Sequence, residues 1–282
     1  MNANREPAVS GTFYPAEPHV LKREVETYLK AAAQDEPARG IVGLVAPHAG
    51  YIYSGQVAAY GYKALTGLAY DTVLVIAPSH RAHFSGAALM EKGAYKTPLG
   101  LVPIDEEISE KILKSGALVR ADAKVHKEEH ALEVQLPFLQ TVLAGFKLVP
   151  LIMGSQDTTT CHQLTALLYD ALKGQSQRFL IVGSTDLSHY YPYKNAVDLD
   201  SVVVGHLGDF DPEGILEDVA AERTEACGAG PMAVTMMLSR KLGADAARVL
   251  RYANSGDVSG DRSAVVGYVS AVFYRLEGRD GT

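Results

Sequence analysis

The chain has only two cysteines in 282 residues, Cys161 and Cys227, and they lie far apart in the sequence. Two cysteines in a chain of this length do not make a disulfide framework, which is typical of proteins in a reducing cytoplasm. No apolar run reaches the roughly 18 residues that a membrane-spanning helix needs. The first residues also lack the charged and apolar segments of a secretory signal. We therefore expect a cytoplasmic protein that does not associate with membranes.

Positive charge is scarce as well. Lys and Arg number 26 against 33 Asp and Glu, so the net charge is −7. An acidic chain without a cluster of basic residues argues against a nucleic-acid partner or an anionic membrane surface. Three common motifs are also absent: the GxSxG of many hydrolases, the GxGxxG of dinucleotide-binding proteins and the GxxxxGK[ST] of phosphate-binding loops. The composition is typical of a protein that acts on small molecules or on other proteins.

Short runs rich in Val, Ile and Leu alternate with helical patterns along the chain. Strands are predicted over 41–50, 71–80, 146–154, 178–189, 248–257 and 264–275, and helices over 19–33, 54–67, 105–115, 127–144, 157–174, 212–221 and 228–242, with Ser54 as a helix cap. This alternation predicts an α/β fold with a central sheet and helices on both faces. The last two strands are close enough to form a hairpin, so a mixed sheet is expected. No change in composition offers a boundary, which predicts a single domain over residues 1–282.

Three predicted strands end in turns that carry histidine. His48 follows the strand VGLVA, His80 follows VLVIA, and Asp186 and His189 follow LIVGS. In open α/β sheets the ligand lies outside the carboxyl ends of the strands. A single histidine is more often a satisfied polar residue than a ligand. Three histidines at equivalent strand ends favour a functional cluster.

The two cysteines receive different predictions. Cys227 lies directly before a glycine-rich turn and an apolar helical pattern, where the positive end of the helix dipole favours a thiolate. The alternative is a buried structural cysteine, which is common for this residue type. Cys161 lies inside an amphipathic helical pattern, and we expect it to be packed in the core.

One further segment has the spacing of a metal site. His126, His130 and Glu133 lie at positions i, i+4 and i+7, which would place them on one face of a helix. The order of residues differs from the HExxH of zinc proteases. A polar stripe beside a groove explains this spacing equally well.

Eight short motifs occur in one order along almost the whole chain: REPAVSGTFYP, APHAGYIYSG, APSH, TPLG, EEHALEVQLPF, STDLSHY, ACGAGP and YANSGD. In these motifs the sequence resembles the Memo family, also called AmmeMemoRadiSam system protein B. The resemblance implies the fold of the class III extradiol dioxygenases, an α/β sandwich with a metal site at one end. Because several motifs share one order, the resemblance is far more specific than any single motif.

Carried over residue by residue, the resemblance makes His48, His80 and Cys227 the metal ligands. It places His189 in the position of the acid/base histidine with Asp186 beside it. The resemblance also implies that two further residues, Glu129 and His130, line the same pocket.

The implied ligand set differs from that of the extradiol dioxygenases, which hold Fe(II) with two histidines and one carboxylate. Here a thiolate replaces the carboxylate, and thiolates are softer and more easily oxidised. This difference argues against ring cleavage. The family is described with iron or copper and with redox chemistry. Its name implies association with an AMMECR1-like protein and a radical-SAM protein.

The leading hypothesis is a metal-binding, non-haem oxidoreductase that uses Fe(II) at a His/His/Cys site, with Cu or Zn as alternative metals. A small molecule or peptide would occupy the metal pocket, His189 would move a proton, and Asp186 would orient a neighbouring histidine. Two alternatives stay open. One is a non-catalytic module that binds a peptide or partner protein in the inherited pocket, and the other is a zinc-dependent hydrolase.

Overall fold

Strands and helices alternate along the chain in a computed structural model that describes residues 4–33 and 40–276. The strands are β1 (Asn4–Arg5), β2 (Ile41–Ala46), β3 (Thr72–Pro78), β4 (Ala87–Leu89), β5 (Ala94–Thr97), β6 (Gly100–Pro103), β7 (Val119–Ala121), β8 (Lys147–Met153), β9 (Phe179–Ser184), β10 (His189–Tyr191), β11 (Ala246–Asn254) and β12 (Val265–Tyr274). The α-helices are α1 (Pro18–Ala31), α2 (Tyr51–Ala64), α3 (Glu106–Lys114), α4 (Ala123–His126), α5 (Leu136–Val142), α6 (Thr158–Leu172), α7 (Tyr193–Gly208), α8 (Pro212–Ala220), α9 (Ala229–Lys241) and α10 (Gly256–Ser259), and a 3-10 helix spans Glu133–Gln135.

The larger sheet has nine strands in the order β10-β12-β2-β9-β3-β8-β4-β7, with β11 paired along β12. The four strands β2, β9, β3 and β8 are parallel to one another. On one side β12 is antiparallel to both β2 and β11, and on the other β4 is antiparallel to β8. A smaller sheet contains β1, β5 and β6. The predicted α/β fold, the mixed sheet and the terminal hairpin are confirmed.

The central strands are buried on both faces. Leu44, Val75 and Val182 pack with α1, α2 and α5, while Ile76 and Ile181 pack with α6 and α9 on the opposite face. All five side chains are fully buried, and each such burial contributes about 1.5–3 kcal/mol. This two-sided burial explains why the strands are continuous apolar runs. None of the described helices has the length and apolarity needed to cross a membrane.

The beginning of α2 differs from the prediction. The helix begins at Tyr51, after Gly50, so Ser54 is not its cap. The backbone N–H of Tyr51 donates instead to the carbonyl of Phe13, and the Ser54 hydroxyl donates to the carbonyl of Ala49 at 2.8 Å. An N-terminal loop therefore satisfies the first donor of this helix, and no side-chain cap is needed.

The predicted helix over 127–144 is also wrong as a continuous element. Residues 127–132 are not helical, and helical structure begins only with the 3-10 helix at Glu133 and continues in α5. The cause is Arg5, whose guanidinium donates to the carbonyls of His126 at 2.9 Å and Glu129 at 2.7 Å. In a continuous helix these carbonyls would accept backbone N–H groups four residues later.

The topology brings three strand ends to one edge of the sheet. Strand β9 lies between β2 and β3 and is parallel to both, with Ala46 paired to Ser184. His48 and His80 each follow their strand by two residues, and Asp186 follows β9 by two. The loops that carry these polar side chains are therefore neighbours at the carboxyl edge.

Candidate metal centre

Three histidines meet at this edge. The nitrogen atoms that His48, His80 and His130 can offer to a metal all lie within 4.8 Å of one another. The ring centroids are 5.1 Å apart for His48 and His80, 5.5 Å for His48 and His130, and 4.7 Å for His80 and His130. This separation is small enough for the three rings to surround one ion.

His48 is the most buried member, with a side chain that is 2% exposed. Its Nδ1 lies 2.9 Å from the hydroxyl of Ser184, and its backbone N–H donates to Asp186 Oδ1 at 2.7 Å. Its Nε2 lies on the open side, 3.1 Å from the sulfur of Cys227. The protein therefore holds His48 by Nδ1 and by its backbone, and presents Nε2 to the centre.

Glu129 holds the ring of His80 and lies close to the ring of His130. Its Oε1 lies 3.0 Å from His80 Nδ1 and 3.4 Å from His130 Nδ1, and its Oε2 accepts the backbone N–H of His80 at 2.6 Å. Ala131 also donates its backbone N–H to Oε1, at 3.0 Å. Burial opposes ionisation of Glu129, but the hydrogen bonds from His80 and Ala131 lower its pKa to about 2. Glu129 is therefore a carboxylate that orients the imidazole of His80, as acidic residues behind metal ligands commonly do.

Two of the imidazoles are held in the neutral form. Burial, and then the neighbouring His80, lower the pKa of His48 to about 3. Burial, and then His48, lower the pKa of His130 to about 4. A neutral ring keeps a nitrogen lone pair, which is the form that binds a metal.

Asp186 supports His48 through the backbone rather than through the ring's Nδ1. Its Oδ2 lies 3.9 Å from His48 Nε2, on the side of the ring that faces the centre. Burial raises the pKa of Asp186, although the N–H of His48 lowers it in part. Asp186 therefore lies beside the centre as a carboxyl group whose protonated form is favoured by burial.

Cys227 reaches the cluster from the turn before α9. Its sulfur accepts the backbone N–H of Asp186 at 3.2 Å and contacts His48 Nε2 at 3.1 Å. Burial, and then the charge of Asp186, raise the pKa of the thiol. The expectation that the helix start favours a thiolate is therefore wrong for the protein alone, because desolvation outweighs the dipole. A bound cation would reverse this balance.

The turn that carries Cys227 needs glycine at the next position. A Cβ on Gly228 would lie 2.2 Å from the carbonyl oxygen of Ser184. Its backbone N–H donates to the hydroxyl of Thr185 at 3.0 Å. This close approach lets the turn lie directly against the end of β9, which places the sulfur beside His48.

His189 is half-buried at the start of β10. Its backbone N–H donates to Glu225 Oε1 at 2.6 Å. The loop that carries Asp186 at the carboxyl end of β9 leads directly into His189. His189 thus belongs to the same edge of the sheet.

The helical-face prediction for His126, His130 and Glu133 is wrong, because only His130 joins the centre. His126 is buried elsewhere, with Nδ1 2.6 Å from the hydroxyl of Tyr95. Glu133 pairs with Arg5 and accepts the backbone N–H groups of two N-terminal residues. The three residues do not share a helix face, since the chain is not helical between them.

Cys161 is fully buried in α6, as predicted. Its sulfur donates to the carbonyl of Gln156 at 3.5 Å, and burial raises its pKa to about 12. It is an inert packing residue.

The geometry fits a metal ion. Nδ1 of His48 is hydrogen-bonded with Ser184 and Nδ1 of His80 with Glu129, which leaves their Nε2 atoms available for ligation. Imidazole and thiolate ligands suit Fe, Cu and Zn. The types of donor atom, their orientation and the hydrogen bonds behind them are therefore all compatible with a bound metal ion.

Comparisons with known proteins identify the family of this chain. The sequence profile described as Memo-like protein matches residues 5–272. The chain belongs to the Memo-like family. A MEMO1 family protein of Methanopyrus kandleri is 38% identical over 281 residues, covering 96% of this chain and 99% of that protein. A MEMO1 family protein of Methanosarcina mazei is 39% identical, covering 95% of this chain and 98% of that protein. Another, of Sulfolobus acidocaldarius, is 36% identical and covers 95% of this chain and 99% of that protein.

A solved structure supports the fold of this Memo-like chain. The crystal structure of an uncharacterized protein from Escherichia coli K12 superposes with a TM-score of 0.53 at 14% sequence identity. The match covers 82% of this chain and 99% of that one. At this identity the likeness concerns the arrangement of strands and helices.

Several supporting residues were not predicted from the sequence. Ser184 and Gln135 lie behind His48, and Glu225 holds the backbone of His189. Ser184 and Gln135 do lie inside two of the family motifs, STDLSHY and EEHALEVQLPF. That position is the signal that could have singled them out.

Proposed function

We propose that this Memo-like protein is a cytoplasmic, metal-dependent oxidoreductase that holds Fe(II) through His48, His80 and Cys227. The observation that carries the proposal is the convergence of histidine nitrogens within 4.8 Å, with Cys227 3.1 Å from the innermost ring. The family resemblance supports the choice of these three ligands. Bound iron supplies open coordination positions and a redox couple.

The protein's own residues have separate tasks in this proposal. Neutral His48 offers its Nε2 lone pair, His80 offers its Nε2, and Cys227 loses its proton when it becomes a ligand. His130 lines the pocket beside His80, with their ring centroids 4.7 Å apart. His189 moves a proton to or from the bound molecule, since histidine can change its charge near neutral pH.

The occupant of the pocket in this proposal is a small molecule or a peptide. The side chain of His80 is 30% exposed, whereas that of His48 is 2% exposed. A ligand therefore enters from the side of His80 and meets His48 at the bottom of the site. An AMMECR1-like protein and a radical-SAM protein are the partners that the family resemblance supports.

A second candidate is zinc-dependent hydrolysis. The specific observation in its favour is that the compact group consists of His48, His80 and His130. Three histidines with one open position form a common catalytic zinc site. In this arrangement Cys227 would be a neighbour of the metal rather than a ligand.

Two matched variants separate the candidates. Cys227→Ser replaces the thiol by a poorly acidic hydroxyl of similar volume, and His130→Gln removes the third imidazole. We expect Cys227→Ser to lower iron affinity more than about 100-fold, since even residues behind the ligands contribute 10–100-fold. His130→Gln should keep the metal stoichiometry. Metal content and absorption spectra of anaerobically purified protein measure both effects.

The control is the melting temperature of each variant after chelation, which should change little if the site is not structural. The opposite pattern, with full iron binding in Cys227→Ser and loss in His130→Gln, would contradict the His/His/Cys site. It would favour the three-histidine zinc centre. Zinc in the purified protein together with metal-dependent hydrolysis would confirm that second candidate.

A further inference from the structure

Ser184 lies where three elements converge behind the innermost histidine. It is the last residue of β9, Gln135 is the last residue of the 3-10 helix, and Tyr62 belongs to α2. All three side chains are essentially inaccessible to solvent, with exposures of 0%, 1% and 0%. Buried polar atoms need partners, so every hydrogen in this group can be assigned from the atoms around it.

The orientation of the Gln135 amide follows from the carbonyl of Pro47. Nε2 of Gln135 lies 3.0 Å from this oxygen, which can only accept a hydrogen bond. The nitrogen must therefore face Pro47, because the amide oxygen would be repelled there. The second hydrogen of Nε2 is directed at Ser184 Oγ, 2.8 Å away. Oε1 then accepts the hydroxyl hydrogen of Tyr62 at 2.6 Å.

The single hydrogen of the Ser184 hydroxyl is committed in the same way. The carbonyl oxygen of Ala131 lies 2.7 Å from Ser184 Oγ and can only accept. The hydrogen must lie between these two oxygens, since without it they would repel each other. Ser184 Oγ is left with lone pairs alone for Gln135 and for His48 Nδ1 at 2.9 Å. The nitrogen that faces Ser184 must therefore carry a hydrogen.

We infer that Ser184 and Gln135 are positioning residues that lock His48 in the tautomer with hydrogen on Nδ1 and a lone pair on Nε2. The bond made by one imidazole nitrogen decides which nitrogen is protonated. The locked lone pair is directed toward Cys227, whose sulfur is 3.1 Å from Nε2. Its use for metal binding rests on the proposed function, but the tautomer itself does not.

The first test uses the full-length protein freed of metal. Long-range proton–nitrogen correlation spectra of ¹⁵N-histidine-labelled protein distinguish protonated from bare ring nitrogens, and comparison with His48→Gln assigns the signals of His48. At pH 7.5 we expect hydrogen on Nδ1 and a bare Nε2. Hydrogen on Nε2, or on both nitrogens, would overturn the inference.

The second test removes the acceptor. In Ser184→Ala the Nδ1–H of His48 has no partner, so we expect the hydrogen to leave Nδ1 and zinc affinity to fall by roughly 10–100-fold. The matched control is Ser270→Ala, because the Ser270 hydroxyl is also buried in a strand and has no hydrogen-bond partner among the described residues. Its zinc affinity should stay close to that of the parent, because the Ser270 hydroxyl supports no proposed ligand.

Ser184→Ala with an unchanged tautomer and unchanged zinc affinity would show that Ser184 has no such role. If this variant fails to fold, the spectrum of the parent protein still decides. The two proposals can fail separately. A protein with hydrogen on Nδ1 that binds neither iron nor zinc contradicts the proposed function alone, and a metal-binding protein with hydrogen on Nε2 contradicts the tautomer lock alone.

Discussion

Acidification should destabilise the metal-free protein through its buried neutral histidines. Burial is the largest cause that lowers the pKa of His48 and of His126 to about 3 and that of His130 to about 4. In the unfolded chain the same groups titrate near 6.5. The unfolded state therefore binds more protons below pH 6.5, and the stability that these groups contribute above pH 6.5 is lost as the pH falls toward 4.

The size of the loss between pH 7.5 and 5.5 follows from these values. Each histidine that stays neutral only in the folded state costs about 1.4 kcal/mol at pH 5.5, so the three cost about 4 kcal/mol together. Asp186 acts in the opposite direction, because burial raises its pKa and the folded state takes up its proton first. This offsets a smaller part of the loss. The expected net loss is about 3 kcal/mol, a large part of a typical folding free energy.

Urea unfolding of the chelated protein at both pH values measures this difference, provided that the transition is two-state. His126→Gln, which lies outside the metal centre, should reduce the loss by about 1.4 kcal/mol. Tyr95→Phe is the matched control, since it removes the hydroxyl 2.6 Å from His126 Nδ1 but leaves all histidines in place. It should lower stability at both pH values and keep most of the pH dependence. An unfolding free energy that is equal at pH 7.5 and 5.5 would refute the reasoning.

Two further predictions concern the site itself. His189→Gln should keep metal content and thermal stability and lower turnover by roughly 100-fold or more, a typical contribution of proton transfer; normal turnover with any substrate found would make His189 a scaffold residue. Gly228→Ala should impair metal binding, because its Cβ would lie 2.2 Å from the Ser184 carbonyl, whereas Gly205→Ala, with no atom within 4 Å of the added Cβ, serves as the control. Equal metal affinity in these two alanine variants would refute the close-approach argument.

The strands and the position of the site could be predicted because burial controls both. A strand covered on two faces must be apolar throughout, and it must end where polar residues begin. His48 and His80 mark such ends, and the parallel order β2-β9-β3 then makes them neighbours. The helix α7 was not predicted. Its Val202, Val203 and Val204 are β-branched and favour strands by propensity, yet the helix packs against β11 and β12.

The prediction that His126, His130 and Glu133 share one helix face is wrong for a different reason. Spacing predicts a shared helix face only if the backbone is helical throughout, and Arg5, more than 120 positions away in the chain, takes the carbonyls that such a helix would need. No local pattern contains that contact. The family motifs nevertheless placed Glu129 and His130 in the pocket, since a motif includes the effect of distant contacts without revealing them.

The tautomer of His48 lies beyond sequence patterns for a related reason. The atoms that decide it are the carbonyl oxygens of Pro47 and Ala131, and every residue has such an oxygen. What distinguishes them is their position. The Pro47 oxygen lies 3.0 Å from the amide nitrogen of Gln135, and the Ala131 oxygen lies 2.7 Å from the hydroxyl of Ser184. The state of this proposed metal ligand therefore depends on backbone groups that carry no residue-specific signal. Side-chain identities can indicate the ligands, but the state in which a ligand is held follows only from the fold.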